Sequence, residues 1–279
     1  MSSIPVTRCI FCGGSELTGE HIYSRWTHQL MASRQNAKAR ASIAATHYIH
    51  GDESNIVKLP GNIRDWQVKC VCGKCNNGWM REIENQARPI LTDLIKSNDI
   101  IIYSKEQRII CAWAALKLMV AEYDNKTPVT VSDSQRKYMY NHKSPPSNGW
   151  GIWIGAFEKR DFRAEWICRP LPLVRKKMTA ELANVKASHF NTCANTQIIG
   201  KLFIHIIHVP VKLKIDRWRF VLPHHGALFR IWPAANTPIK WPSRALDDTD
   251  AETAIEAFFL RCSKIVADAV AQARAQNGA

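Results

Sequence analysis

The sequence lacks a run of the roughly eighteen apolar residues that a membrane-spanning helix needs. Its most apolar stretch, residues 198–209, is interrupted by Lys201, His205 and His208. Residues 1–8 also lack the basic and then apolar segments of a secretory signal. No internal repeat, glycine-rich phosphate loop or low-complexity tract is present. These absences predict a globular, cytoplasmic protein without a membrane partner.

Acidic residues are scarce relative to basic ones. The chain has 24 Asp and Glu against 38 Lys and Arg, a formal net charge of +14 and an isoelectric point near 9.5. Such a charge attracts polyanions, so nucleic acid is the expected partner. An acidic membrane surface would be attracted too, but no basic amphipathic helix accompanies the charge. Nothing in the sequence indicates the oligomeric state.

Four of the nine cysteines form two C-x2-C pairs, Cys9 with Cys12 and Cys72 with Cys75. A C-x2-C turn lets two thiolates approach one ion, and two such turns supply the four sulfurs of a closed tetrahedral zinc site. Cys70 competes with Cys72 as a ligand, but the spacing from Cys72 to Cys75 matches that of the first pair. The pattern therefore predicts one structural zinc.

The alternative for these cysteines is a pair of disulfides, which a reducing compartment disfavours. The remaining cysteines lie among apolar residues and are predicted to be core thiols. They are Cys111, Cys168, Cys193 and Cys262.

Further motifs surround the two pairs. Glu20-His21-Ile22 lies between them, and Asn76-Asn77 follows the second. This order resembles the zinc-bound branch of the HNH (ββα-metal) endonucleases, whose signature runs C-x2-C, E-H-I, C-x2-C-N-N. The resemblance covers residues 9 to about 88. It implies a treble-clef module that cuts nucleic acid with a second, catalytic divalent ion.

The resemblance also implies roles for individual residues. His21 would be the general base that activates water, and Glu20 and Asn76 would be ligands of the catalytic ion, Mg or a similar metal. Glu replaces the commoner Asp or His, and Asn replaces the final His, but both keep a metal-binding oxygen. The middle asparagine has no clear equivalent, and Asn62 and Gln67 are both candidates.

The chemistry supports this arrangement independently of the resemblance. Phosphodiester hydrolysis needs a nucleophile at neutral pH, charge stabilisation on the phosphate and help for the departing oxygen. An imidazole titrating near neutrality suits the first task, and a hard ion on Glu and Asn oxygens suits the others. The alternative for His21 is an interior histidine after a helix-capping glutamate. The flanking cysteine pairs favour the catalytic interpretation.

The predicted fold class is α+β, with an HNH-like zinc-bound nuclease module over residues 1–97. A helical segment and a mixed α+β domain of unknown role follow over residues 98–279. In the module we expect a knuckle at 7–14, an extended segment at 18–22, an exposed helix or loop at 23–45, a hairpin at 43–57 and a helix from 77 that Pro89 kinks or ends. Beyond it we expect helices at 106–123, 132–141 and from 249, and strands at 150–157, 162–168, 198–209, 218–222 and 228–231.

The sequence thus predicts a metal-dependent endonuclease, with DNA as the expected substrate. The principal alternative is a zinc-stabilised module that binds nucleic acid without cutting it. A third hypothesis is that residues 98–279 bind a regulatory ligand or partner that controls the nuclease.

Overall fold

The computed structural model of the protein describes residues 6–32, 42–45, 66–124, 128–158, 164–171, 190–210, 227–234, 236–250, 253 and 257. The predicted strand at 218–222, most of the predicted hairpin at 43–57, Asn62 and Cys262 lie outside these residues. The described part is mixed α+β, as predicted. Within it, no helix combines the length and the apolar character needed to cross a bilayer.

The N-terminal module begins with a tight turn at the first cysteine pair. Gly13 adopts a φ of 74°, and the Cys9 N–H donates to the Gly14 carbonyl at 2.8 Å. Glycine accepts this left-handed conformation without the clash that a Cβ would cause. Strand β1, Leu17–His21, follows and pairs antiparallel with β3, Gln67–Cys72. The predicted knuckle and extended segment are confirmed.

The chain then turns from β3 into a long helix. A short helical turn, Gly73–Cys75 (α2), leads through a wider turn at Asn76–Met80 into α3, Arg81–Lys96. Pro89 was predicted to kink or end this helix. It does not end the helix, because α3 continues for seven residues beyond Pro89. Proline removes the N–H that would bind the Asn85 carbonyl, but both residues are exposed, so water can satisfy that carbonyl.

The segment at 23–45 is more buried than predicted. It contains helix α1, Arg25–Ala32, and strand β2, Ser42–Ala45. Tyr23 is only 1% exposed, and its ring packs against those of Trp66 and Trp166. The expectation of an exposed helix or loop fails because these aromatic partners are far away in sequence.

Two further helices lie in the middle of the chain, after a short strand, β4 (Ile100–Ile102). Helix α4, Ser104–Ala121, is buried at every position from Ile110 to Ala121. Helix α5, Asp133–His142, begins at the predicted N-cap: Ser132 and Gln135 exchange the two hydrogen bonds of a capping box.

The remaining strands form a seven-stranded sheet. Its order is β11-β5-β8-β7-β6-β2, and β9 lies beside β5. The strand bounds are β5 Trp150–Phe157, β6 Ala164–Leu171, β7 Thr192–Ile199, β8 Leu202–His208, β9 Leu228–Trp232 and β11 Ala245–Leu246. Strand β10, Ile239–Trp241, pairs instead with β4.

The prediction of a single strand at 198–209 is wrong. The chain reverses at Gly200, whose φ is 57°, so β7 and β8 form an antiparallel hairpin. His205 and His208 lie on opposite faces, as predicted. His205 contacts the Thr196 hydroxyl, whereas His208 stacks on Trp150.

The C-terminal helix begins slightly before its predicted start at residue 249. Residues 248–250 are already helical, and the Asp250 N–H donates to the Asp247 side chain at 2.8 Å. Asp247 therefore supplies the cap, two residues before the start of the predicted capping sequence at Thr249.

One hydrophobic core joins the N-terminal module to the sheet. It includes residues on both sides of position 97, from Cys9 to Trp241. Helix α4 contacts α3, β3, β8 and β9 within this core. The inner surface of the antiparallel β1–β3 pair therefore faces side chains from beyond residue 97, including those of α4. This pair is called the β1–β3 hairpin below, although residues 22–66 separate its strands.

Candidate functional site

The four cysteines of the two C-x2-C pairs meet in space. The sulfurs of Cys9, Cys12, Cys72 and Cys75 all lie within 4.8 Å of one another. Cys12 Sγ is 3.5 Å from Cys72 Sγ, well beyond the disulfide bond length of about 2.05 Å. The cluster contains Cys72 and not Cys70, as the spacing predicted. Such a group of thiols could hold a metal ion.

The surroundings of the cluster favour thiolate formation at one position in particular. Burial opposes the charged form of Cys9, but hydrogen bonds from the backbone at Cys12, Cys72 and Phe11 outweigh it and lower the pKa of Cys9 to about 7. The Gly14 N–H donates to Cys12 Sγ at 3.4 Å, but burial outweighs this contact and raises the pKa of Cys12 above its ordinary value. Deprotonated sulfurs are the form that binds a metal.

The β1–β3 hairpin separates two predicted residues by face. Adjacent side chains in a strand point to opposite sides. Gly19, His21, Gln67 and Lys69 lie on the outer, more exposed face, whereas Glu20 is buried on the inner one. The predicted base and the predicted metal ligand are thus neighbours in sequence with different surroundings.

His21 on the outer face is held by Gln67, its partner in the strand register. The side-chain amide nitrogen of Gln67 lies 2.9 Å from His21 Nε2. Burial and the nearby charge of Arg25 lower the pKa of His21 below its ordinary value. The neutral imidazole, the form that can accept a proton, is therefore favoured at neutral pH.

Gly19 makes room for that contact. A Cβ at this position would lie 2.6 Å from Oε1 of Gln67, closer than real Cβ atoms approach. The glycine lets the Gln67 side chain lie across β1 to reach the imidazole.

Glu20 on the inner face meets an internal cation. Its Oε1 lies 2.5 Å from Nζ of Lys117, in α4. Lys117 is fully buried and also binds Glu84 Oε1 at 2.7 Å and the His21 carbonyl at 2.8 Å. Ser24 adds a hydrogen bond to the same Glu84 oxygen.

The charges in this cluster stabilise one another. Burial alone would lower the pKa of Lys117, but the carboxylates of Glu20 and Glu84 outweigh it and raise that pKa above its ordinary value. Burial likewise opposes ionisation of Glu84, yet the ammonium holds the pKa of Glu84 below its ordinary range. Both shifts favour the ion-paired form at neutral pH.

Asn76 lies at the start of the wider turn before α3. Its amide donates to the Thr18 hydroxyl at 3.1 Å and to the Gly19 carbonyl at 3.4 Å. Glu20 and Asn76 therefore have different partners in this structure. Their role as ligands of a catalytic ion stays a prediction.

Two residues of this site were not predicted from the sequence, Lys117 and Glu84. A signal for Lys117 exists, since it is the single charged residue between Ile109 and Ala121. A lone charge in an apolar helix is almost never fully buried unless it is paired. Glu84 carries no comparable signal, because exposed glutamates are common in helices.

Comparisons with protein-family models, with curated proteins and with solved structures return no match to this chain. The geometry of the site and the resemblance of its motifs therefore bear on function.

Proposed function

We propose that the protein is an HNH-type endonuclease that hydrolyses phosphodiester bonds, with DNA as the expected substrate and a structural zinc on Cys9, Cys12, Cys72 and Cys75. One observation carries the proposal. The four-sulfur cluster joins the knuckle to the ends of β3 and α2, and the hairpin with Glu20 and His21 lies against the turn that carries Asn76. The knuckle, β1, β3 and α3 follow one another in the order expected of a treble-clef ββα-metal module, with α1 and β2 inserted between the two strands.

His21 is the proposed general base. A base needs one ring nitrogen with an available lone pair, within hydrogen-bond reach of the attacking water. The contact with Gln67 involves Nε2 of the His21 ring and does not use Nδ1. The oxygen and nitrogen ends of a side-chain amide are nearly indistinguishable in shape. If the Gln67 oxygen faces His21, it accepts from Nε2–H, and the free lone pair of the imidazole is then on Nδ1. Gln67 is then the positioning residue that orients the base.

The resemblance adds a catalytic divalent ion, Mg or similar, and implies Glu20 and Asn76 as its ligands. When bound, such an ion polarises the phosphate and stabilises the departing oxygen. Glu20 is engaged by Lys117 in this arrangement, so the roles of His21 and Gln67 do not depend on the ion.

The charge of the chain supports a nucleic-acid substrate. The formal net charge of +14 favours polyanions. Exposed basic side chains flank the outer face of the hairpin, with Lys69 on β3 and Arg25 close enough to influence the titration of His21. They suit contacts with phosphates beside the base.

The test is cleavage of plasmid DNA and of single-stranded RNA by zinc-loaded protein, each with Mg, with Mn and with EDTA. His21→Ala should lower the rate by about 100- to 10,000-fold, because loss of a general base removes that much of the catalysis. Its zinc content and DNA affinity should stay near those of the wild type.

The matched control is His142→Ala, which removes an exposed histidine on α5 and should leave cleavage unchanged. Cutting that survives His21→Ala would mean that the active site lies elsewhere.

The second candidate is a nucleic-acid-binding module without catalysis. The Lys117 contact favours it, since a buried ammonium occupies the carboxylate that a catalytic ion would use. Zinc-loaded wild-type protein that binds DNA but cuts neither nucleic acid with any of these ions would support this alternative.

A further inference from the structure

Lys117 has a complete set of partners in a position without access to solvent. Its three N–H donors match three oxygen acceptors: Glu20 Oε1 at 2.5 Å, Glu84 Oε1 at 2.7 Å and the His21 carbonyl at 2.8 Å. The Lys117 side chain has no exposed surface. An ammonium has three donors and no acceptor, so this environment satisfies it fully.

The three acceptors belong to a class that also binds metal ions. Carboxylate and backbone carbonyl oxygens are the ligands that hard divalent cations prefer. Here these oxygens are bound to N–H groups instead. A divalent ion would have to displace an ammonium that is buried with its own helix, or lie beside it against the repulsion of like charges.

We propose that the Lys117 ammonium is the resident cation of this oxygen cluster, and that it replaces a divalent ion at Glu20. Through the His21 carbonyl it also fixes the backbone that carries the proposed base. The consequence for cleavage rests on the proposed function: any divalent ion that cutting requires would bind without Glu20. The cation site itself rests only on the contacts of Lys117.

The first arm of the test compares wild-type protein with Glu20→Gln. Mn²⁺ binding to the zinc-loaded full chain is measured by electron paramagnetic resonance of the free ion. Because Lys117 already neutralises Glu20, both proteins should bind the same number of Mn²⁺ ions with the same affinity. A Mn²⁺ ion bound by the wild type and lost in Glu20→Gln would overturn the proposal.

The second arm removes the resident cation. Lys117→Ala deletes the ammonium and leaves space among three oxygens, so it should gain one Mn²⁺ site at least about tenfold tighter than any in the wild type. Adding Glu20→Gln should abolish the gain. Lys105→Ala makes the same charge change at an exposed position of the same helix and should gain nothing.

A folded Lys117→Ala protein without the new site would also overturn the proposal. If this variant does not fold, as circular dichroism would show, the comparison of wild type with Glu20→Gln decides alone. Neither arm measures cleavage, so a protein that never cuts nucleic acid refutes the nuclease and leaves this inference intact.

Discussion

Two clusters of polar side chains lie beside the β1–β3 hairpin. Both can bind a positive charge, but the charge comes from a different source in each. The four sulfurs lie where the knuckle meets the ends of β3 and α2, and they could bind an ion from solution. The oxygens of Glu20 and Glu84 lie on the buried side and already hold Lys117. The first cluster thus depends on the supply of metal. The second depends on how the rest of the chain packs against the module.

The largest effect should follow from loss of the sulfur cluster. Cys72→Ser should abolish zinc binding and unfold the N-terminal module, because the apparent binding energy of a structural zinc, about 10–16 kcal/mol, is comparable with the whole stability of a domain. Zinc content by elemental analysis and limited proteolysis measure this. Cys70→Ala changes a buried thiol outside the cluster and should keep one zinc per chain. Reduced, freshly purified wild-type protein without zinc would refute the site.

Loss of the internal cation should have the next largest effect. Lys117→Met leaves two carboxylates without their cation and should lower the free energy of unfolding by about 3–5 kcal/mol. Combining it with Glu20→Gln and Glu84→Gln should recover much of that loss, since the uncompensated charges disappear. Urea denaturation measures both changes.

The control for that series is Lys105→Met, an exposed position of α4 where the change should stay within about 0.5 kcal/mol. If Lys117→Met were as mild as this control, the ion pairs would contribute little, and the contrast between the two clusters would fail.

The exposed side of the hairpin offers a third measurement. Binding of duplex DNA releases counterions, so affinity should fall roughly 10- to 500-fold over a fourfold rise in salt if about two to five phosphates are neutralised. Lys69→Ala should reduce the slope of log affinity against log salt by about one if Lys69 contacts a phosphate. Salt-independent affinity in a binding titration would argue against a nucleic-acid partner.

The difference between the two clusters also explains what the sequence could predict. Each C-x2-C pair forms its turn within a few residues, so its spacing was informative, and the β1 segment and the cap of α5 followed from equally local signals. The helix predicted from residue 77 becomes the regular helix α3 only at Arg81, after the wider turn at Asn76–Met80. The contact between Lys117 and Glu20 spans 97 residues of sequence. No local pattern encodes that pairing.

Strand β7 was missed for a related physical reason. Its residues Asn195 and Thr196 are polar, which disfavours a buried strand when read alone. In the structure they bind the Ile167 carbonyl and His205, which belong to the neighbouring strands β6 and β8. Buried polar groups are tolerated when such partners exist, and the partners become known only with the sheet.

The smallest predicted effect tests whether Gly19 positions Gln67 against His21 on the outer face of the hairpin. Gly19→Ala places a methyl group against the side-chain amide of Gln67 and should move that flexible side chain off His21. A hydrogen bond contributes about 0.5–1.5 kcal/mol, so cleavage should fall about 2- to 10-fold without loss of zinc. Gln67→Ala should have a similar effect, and the double variant should be no worse than either, because both changes remove one contact. Gly73→Ala, whose Cβ would meet only ordinary van der Waals contacts, is the matched control. Additive losses in initial-rate measurements would show that Gly19 does not act through Gln67.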